Sequence, residues 1–240
     1  DLFIVKVGDR LGGMYGYLQD GIYNSHEELY NGPTNPVLTV TAGARRYKDI
    51  SGPDGKPDGI VNAAYDRTVL GNGNPKFMGG FNNEFRLGPV DLSMLFTFVY
   101  GNSIMNKYEY YYMMANSWQG GPEAMYKYHW THQNPQVNEL LWSNSYGNEY
   151  TNLTSYQIQD GSYLRLKNLM LGYNFPVSKF SNLGFTKLRL YISAQNLLTF
   201  TRYRGFDPEV NYYSNLIQPG VDWGSYPRSR ILTFGVNMGF

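Results

Sequence analysis

The chain has 240 residues, no cysteine, a formal net charge of +1 and a heavy aromatic load of 23 Tyr, 13 Phe and 4 Trp. Near-neutral charge removes the electrostatic basis for binding nucleic acid, and the lack of cysteine removes disulfide frameworks, Cys-ligated zinc and thiol catalysis. No apolar run reaches the roughly 18–20 residues of a transmembrane helix. A mean hydropathy of −0.44 is still compatible with a membrane barrel, whose strands interleave polar residues and whose loops are hydrophilic.

The N-terminal D-L-F-I-V-K-V lacks the layout of a signal peptide, which reads as a processed chain or a piece of a longer one. Residues 2–7 predict a short strand. Residues 25–76, dense in Gly, Pro, Asn and Asp, predict a long irregular connection with one short hairpin over 44–48. Strong period-two patterning then begins. Phe77, Gly79, Phe81, Phe85 and Leu87 share one face, with Asn82, Glu84 and Arg86 on the other. Gly88-Pro89 predicts a tight turn, after which Val90, Leu92, Met94, Phe96, Phe98 and Tyr100 return along the apolar face.

The segment 102–160 predicts a short helix over 105–118 and carries a dense aromatic run. In 161–176, Leu169, Leu171, Tyr173 and Phe175 share one phase and Leu164 and Leu166 the other, which predicts either a bulge or an upper part that stands clear of lipid. A brief turn over 176–184 leads to Leu188, Leu190, Ile192, Ala194 and Leu198 on one face, opposite Lys187, Arg189, Ser193 and Gln195. The last strand places Leu232, Phe234, Val236, Met238 and Phe240 on one face and Thr233, Gly235, Asn237 and Gly239 on the other. Its length suits a tilted membrane strand of roughly 9–11 residues better than a sandwich strand of about 5–6. Short connections on one side and long ones on the other are the two-ended asymmetry of an outer-membrane barrel. The predicted class is all-β.

Six segments, in order, resemble the SusC/RagA-type TonB-dependent outer-membrane receptors of Bacteroidetes: Y-G-Y-L-Q-D-G-I-Y (15–23), D-R-T-V-L-G-N-G-N-P-K-F-M-G-G-F (66–81), D-L-S-M-L-F-T-F-V-Y-G-N-S-I-M-N (91–106), G-S-Y-L-R-L-K-N-L-M-L-G-Y (161–173), Q-N-L-L-T-F-T-R-Y-R-G-F-D-P-E-V (195–210) and Y-P-R-S-R (226–230). The resemblance covers essentially the whole chain. It implies that residues 1–240 are the C-terminal part of one large antiparallel transmembrane barrel of about 22 strands, supplying about six of them with long extracellular loops. The plug, TonB box and N-terminal domain are absent from this chain. The implied partners are a SusD-like surface lipoprotein, TonB acting through the plug, the remainder of the barrel polypeptide, outer-membrane lipid, and an oligosaccharide or peptide substrate. An aromatic C-terminus also resembles the family's assembly signal, carried here by Phe234, Val236, Met238 and Phe240.

Asp49, Asp54, Asp58 and Asp66 resemble an acidic stretch common in that family, itself similar to a calcium loop. Asp54 and Asp58 are the candidate calcium ligands. Lys56 and Pro57 interrupt the alternate spacing of oxygen ligands that calcium requires, and a solvated Asp/Gly turn cluster accounts for the same residues. No other cofactor is expected. His129 and His132 lack a neighbouring third ligand for zinc. No nucleophile elbow, zincin helix or phosphate loop is present, so the sequence gives no argument for an enzyme. Aromatic residues on a loop can stack on sugars, grip a peptide or pack locally. Within 108–130, the densest such stretch, Tyr111, Trp118, Tyr128 and Trp130 are the candidate cargo or lid contacts.

Two readings remain open on the residues alone. One is the wall and outer loops of a multi-pass outer-membrane nutrient importer. The other is a secreted, aromatic-rich β-domain that binds glycans as a soluble module.

Overall fold

The computed structural model describes residues 2–37, 40–108, 123, 130–131, 133, 152–176 and 184–240. In chain order its elements are β1 (Phe3–Ile4), β2 (Gly13–Tyr17), β3 (Gln19–Ile22), α1 (His26–Asn31), β4 (Arg45–Tyr47), β5 (Arg67–Asn72), β6 (Phe77–Leu87), β7 (Val90–Tyr100), β8 (Ser103–Asn106), β9 (Ile158–Asp160), β10 (Tyr163–Asn174), β11 (Lys187–Thr201), β12 (Val221–Asp222) and β13 (Ile231–Gly239). They fall into two compact units. The loop unit comprises Asp1–Asn74, Ser103–Asp160 and Glu209–Ser225, and the wall unit Pro75–Asn102, Gly161–Pro208 and Tyr226–Phe240.

The wall is a single antiparallel sheet in the order β13-β11-β10-β7-β6, so each strand lies beside the next wall strand in sequence. Of the roughly six wall strands expected, five stand in this sheet, with 11, 11, 12, 15 and 9 residues in chain order. All reach the length that a tilted strand needs to cross the hydrocarbon layer. β6 and β7 are joined by two residues, with Leu87 opposite Val90. Gly88 has φ +56°, which suits the first position of a primed hairpin turn, and Pro89 supplies the fixed negative φ of the second.

Register puts the apolar residues on one face. One row runs Phe85, Leu92, Leu171, Ile192, Phe234, and the next runs Leu87, Val90, Tyr173, Leu190, Val236. The phase switch at 164–169 is a bulge. Between Met94 and Phe96 the chain advances two residues on β7, while β10 advances three, from Leu169 to Leu166, and β11 four, from Ala194 to Leu198. The extra residue on β10 flips its parity, so Leu164 and Leu166 return to the same face as Leu169 and Leu171. β11 takes up two extra residues, keeps its parity, and turns there at Asn196 with φ +51°.

The opposite face is polar and has its own architecture. Arg189 on β11 reaches across β10 to Asp91 on β7, donating from Nε to Oδ1 at 3.3 Å and from Nη2 to Oδ2 at 2.5 Å, and Asn174 donates to the same carboxylate at 2.7 Å. Gly172 is the residue crossed, and a Cβ there would lie 2.5 Å from Arg189 Nη2 and 2.7 Å from Asp91 Oδ2. A side chain at 172 would therefore occupy the space of the ion pair.

The loop unit holds three small sheets, β1-β2-β5, β12-β8-β9 and β3-β4. Three sequence expectations change here. Residues 44–48 form no local hairpin, because β4 pairs with the distant β3. The strand expected over 2–7 pairs only at Phe3 and Ile4. Met105 and Asn106, expected to open a helix, belong to strand β8, and residues 109–118 of that helix lie outside the described residues, as do 177–183 of the expected turn.

Candidate ligand-facing site in the loop unit

The loop unit is built around small buried clusters rather than one large core. Met14, Met105, Leu153 and Val221 form one, and Tyr17, Tyr47 and Val61 another, with the two tyrosine rings stacked at 4.9 Å. β2 passes so close to the backbone of Leu153 that a Cβ on Gly16 would overlap its carbonyl oxygen, and the adjacent Tyr17 N–H donates to that oxygen at 2.8 Å. Burial raises the phenol pKa of Tyr17 and of Tyr23 above the usual tyrosine value, so both stay neutral. Burial likewise pushes the Lys107 ammonium down to about 8, with the Arg45 guanidinium acting in the same direction. The free state titrates higher, so the energetic penalty of holding that charge inside is present below about pH 8 and fades as pH rises further.

The acidic loop is organised by Asp66, which is fully buried. Its Oδ1 accepts from the N–H of Ile50 and Ser51 at 2.8 and 3.2 Å, and its Oδ2 from the N–H of Asn62 at 2.7 Å. Asp49 accepts from Gly59 N–H at 2.6 Å and Asp58 from Ile60 N–H at 2.9 Å. Asp54 and Asp58, the candidate calcium ligands, are exposed. Among the described residues no group of three His, Cys, Asp or Glu stands close enough to hold a metal ion. The carboxylates that face inward are thus turned to backbone N–H groups, the ordinary work of Asp in tight turns.

Of the four aromatic contacts expected in 108–130, Tyr111, Trp118 and Tyr128 lie outside the described residues, as do His129 and His132. Trp130 is 8% exposed and packs with Ile22 and Ala42. Its ring lies over Gly43, which has φ +88° and where a Cβ would come within 2.5 Å of the indole. Here the expectation of a cargo or lid contact meets a ring embedded in a local core.

Among the described residues, the rings that the loop unit turns outward lie elsewhere. Its exposed aromatic residues, among those described, are Tyr30, Tyr65, Tyr212, Tyr213 and Trp223, and the last three stand together. The Tyr212 ring is 5.1 Å from that of Tyr213 and 6.5 Å from that of Trp223, both edge-on. Asn215 Oδ1 accepts from the N–H of Ile217 and Gln218 at 3.0 and 2.6 Å, closing the turn between them. In sequence the three rings stand as Y-Y followed by P-G and D-W, a sparser signal than the aromatic run at 108–130.

At the far end of the wall, Phe234, Val236 and Met238 lie exposed on the apolar face of β13, and the Phe240 ring follows against Phe185 at 5.0 Å.

No protein-family model matches the chain. The chain is 34% identical to TonB-dependent receptor P3 of Formosa agariphila, over 99% of its own length and 23% of that receptor. It is 26% identical to TonB-dependent receptor SusC of Bacteroides thetaiotaomicron, over 81% of its own length and 19% of that protein. Among solved structures it matches that of the RagAB peptide transporter with a TM-score of 0.70 at 23% identity, over 95% of this chain and 23% of that one. The chain therefore spans about a quarter or less of the length of its relatives. The five-stranded wall, with one apolar face and with edge strands β6 and β13 each paired on one side only among the described residues, and the homology along nearly its whole length identify the chain as part of the β-barrel of a TonB-dependent receptor of the SusC/RagA type.

Proposed function

We propose that this chain forms part of the wall and outer mouth of an outer-membrane importer, one that takes up oligosaccharides or peptides with energy from TonB and with a SusD-like surface lipoprotein as its lid. The observation that carries the reading is the wall itself: five strands of membrane-crossing length with a continuous apolar face that includes Phe85, Leu171, Ile192 and Phe234, all exposed. A soluble module would have to leave that face in water beside the outer edges of β6 and β13, which no described strand pairs, an invitation to aggregation. Lipid covers such a face, and the remaining strands of a barrel close such edges. The relatives are receptors and transporters, which supports transport over catalysis.

The chain passes to the loop unit at the start of β6, the end of β7, the start of β10 and the end of β11, and register aligns these four positions at one end of the sheet, with Phe77 opposite Tyr100 and Tyr163 opposite both Val99 and Thr201. Gly88-Pro89 lies at the other end. We assign the long segments to the outer mouth on that asymmetry. The test uses the full-length receptor in its outer membrane, with labelled neutral glycan and peptide pools offered to cells with and without TonB. Uptake is expected to need both receptor and TonB, and the receptor is expected to capture a surface lipoprotein. Shortening residues 109–129 should reduce uptake or lipoprotein capture without changing barrel abundance. Uptake indifferent to loss of the receptor would overturn the reading.

Assembly supplies a further expectation. Deleting Phe240 should lower the amount of folded receptor in the membrane while leaving the substrate affinity of the inserted fraction unchanged. Wild-type surface levels after the deletion would reduce Phe240 to one more lipid-facing ring.

A further inference from the structure

We propose that Tyr212, Tyr213 and Trp223 form a stacking platform for a neutral oligosaccharide, an inference that rests on the import reading above and gives it a substrate class. The three rings are 61%, 40% and 43% exposed. They meet edge to face, with interplanar angles of 84° and 61°, so each keeps area that a neighbouring ring does not cover.

The backbone beneath them is fixed. Tyr212 N–H donates to the Val221 carbonyl at 3.0 Å, and β12 pairs in parallel with β8 through Val221 and Asp222, each only 1% exposed. Asp222 Oδ1 accepts from Gly224 and Ser225 N–H at 2.8 and 2.9 Å, which closes a tight turn around Trp223. Aromatic rings held outward on an anchored backbone give contact area at little entropic cost on binding, as preorganised sites require.

Charge selects the occupant. Between residues 211 and 225 the sole charged side chain is Asp222, and it is buried and committed to its own turn. The polar side chains exposed in this segment are neutral: Asn211, Ser214, Asn215 and Gln218. A peptide brings charged termini, and an acidic glycan brings carboxylates or sulfates, for which this segment supplies no countercharge. A neutral sugar ring needs none. Its C–H face lies on an aromatic ring while its hydroxyls exchange hydrogen bonds with amides and hydroxyls.

The test is calorimetric titration of the purified full-length receptor with cellohexaose, maltohexaose, laminarihexaose and a tryptic casein digest. At least one hexasaccharide is expected to bind. Trp223→Ala and Tyr212→Ala should each weaken that binding by about tenfold or more. Tyr30→Ala, which removes an exposed ring on α1, should leave it unchanged. Trp223→Phe, which keeps a stacking face and covers the case in which the alanine variant does not insert, should retain most of the affinity. Binding of none of the hexasaccharides, binding of peptides alone, or full affinity in both alanine variants would overturn the platform. TonB-dependent uptake of the peptide pool would in that event leave the import reading standing, which separates the two failures.

Discussion

Ile192→Arg is expected to abolish most of the receptor's accumulation in the outer membrane, whereas Ser193→Arg is expected to be tolerated. The two residues are adjacent on β11 and differ only in the face they occupy. Ile192 lies in the row Phe85, Leu92, Leu171, Ile192, Phe234, and β11 is paired on both sides there, so the strand cannot slip away from a neighbour to hide a charge. An arginine on the lipid face of a barrel costs about 2–4 kcal/mol near the midplane, which is tenfold or more in the folded fraction. Ser193 lies on the other face, in the row Glu84, Ser93, Met170, Ser193, Thr233, where a guanidinium meets polar side chains and a carboxylate in place of lipid. The measurement is the amount of each variant that runs as folded barrel from isolated outer membranes. Equal tolerance would mean that the apolar face does not meet lipid, and the wall assignment would fail.

That face was legible in the sequence because period-two patterning is a local property. β6, β7, β11 and β13 show it without interruption of phase, and the family segments at 91–106 and 161–173 fall on β7 with β8 and on β10. The phase switch in β10 was visible too, although it left two readings. Register decides between them, and register is a relation among β7, β10 and β11 that no one of them contains. The same limit hid the partner of β4, which lies in β3, and the role of Gly172, whose missing side chain matters only because Arg189 crosses above it. Burial of loop aromatics was the least legible feature. Trp130 and Trp223 both have polar neighbours in sequence, His129 and Thr131 for the first and Asp222 and Ser225 for the second, yet the first is folded over Gly43 and the second stands outside a turn closed by Asp222. What separates them is the packing of each ring against chain remote in sequence, which no local pattern contains.

The buried ion pair at the long-loop end of the wall, opposite the Gly88-Pro89 turn, gives the other large effect. Arg165, on β10 beyond the bulge, is 2% exposed. Its Nε donates to Thr199 Oγ1 at 3.0 Å, its Nη2 donates to Asp207 Oδ1 at 2.7 Å, and its guanidinium lies 5.4 Å from the centre of the Tyr163 ring. Asp207 Oδ2 accepts from Arg228 N–H at 3.3 Å, so one carboxylate binds β10, the outgoing chain after β11 and the returning chain just before β13. Removing one partner leaves the other charge buried without compensation, a loss of about 3–5 kcal/mol in comparable sites. Asp207→Ala is therefore expected to free the chain between residues 207 and 228, seen as faster hydrogen exchange and proteolysis there, while the strands below the bulge keep their protection. Arg165→Met combined with Asp207→Leu removes both charges and should recover a large part of the loss, because desolvating a pair offsets much of its attraction. The residues between those two anchors include Tyr212, Tyr213 and Trp223, so the same variants separate two roles for the segment. If Asp207→Ala weakens hexasaccharide binding and the double variant restores it, the pair acts by presenting the rings at a fixed station. If protection is lost while affinity holds, the pair serves the wall alone. Exchange rates in 207–228 indistinguishable from wild type would show that the pair contributes nothing to holding the loop.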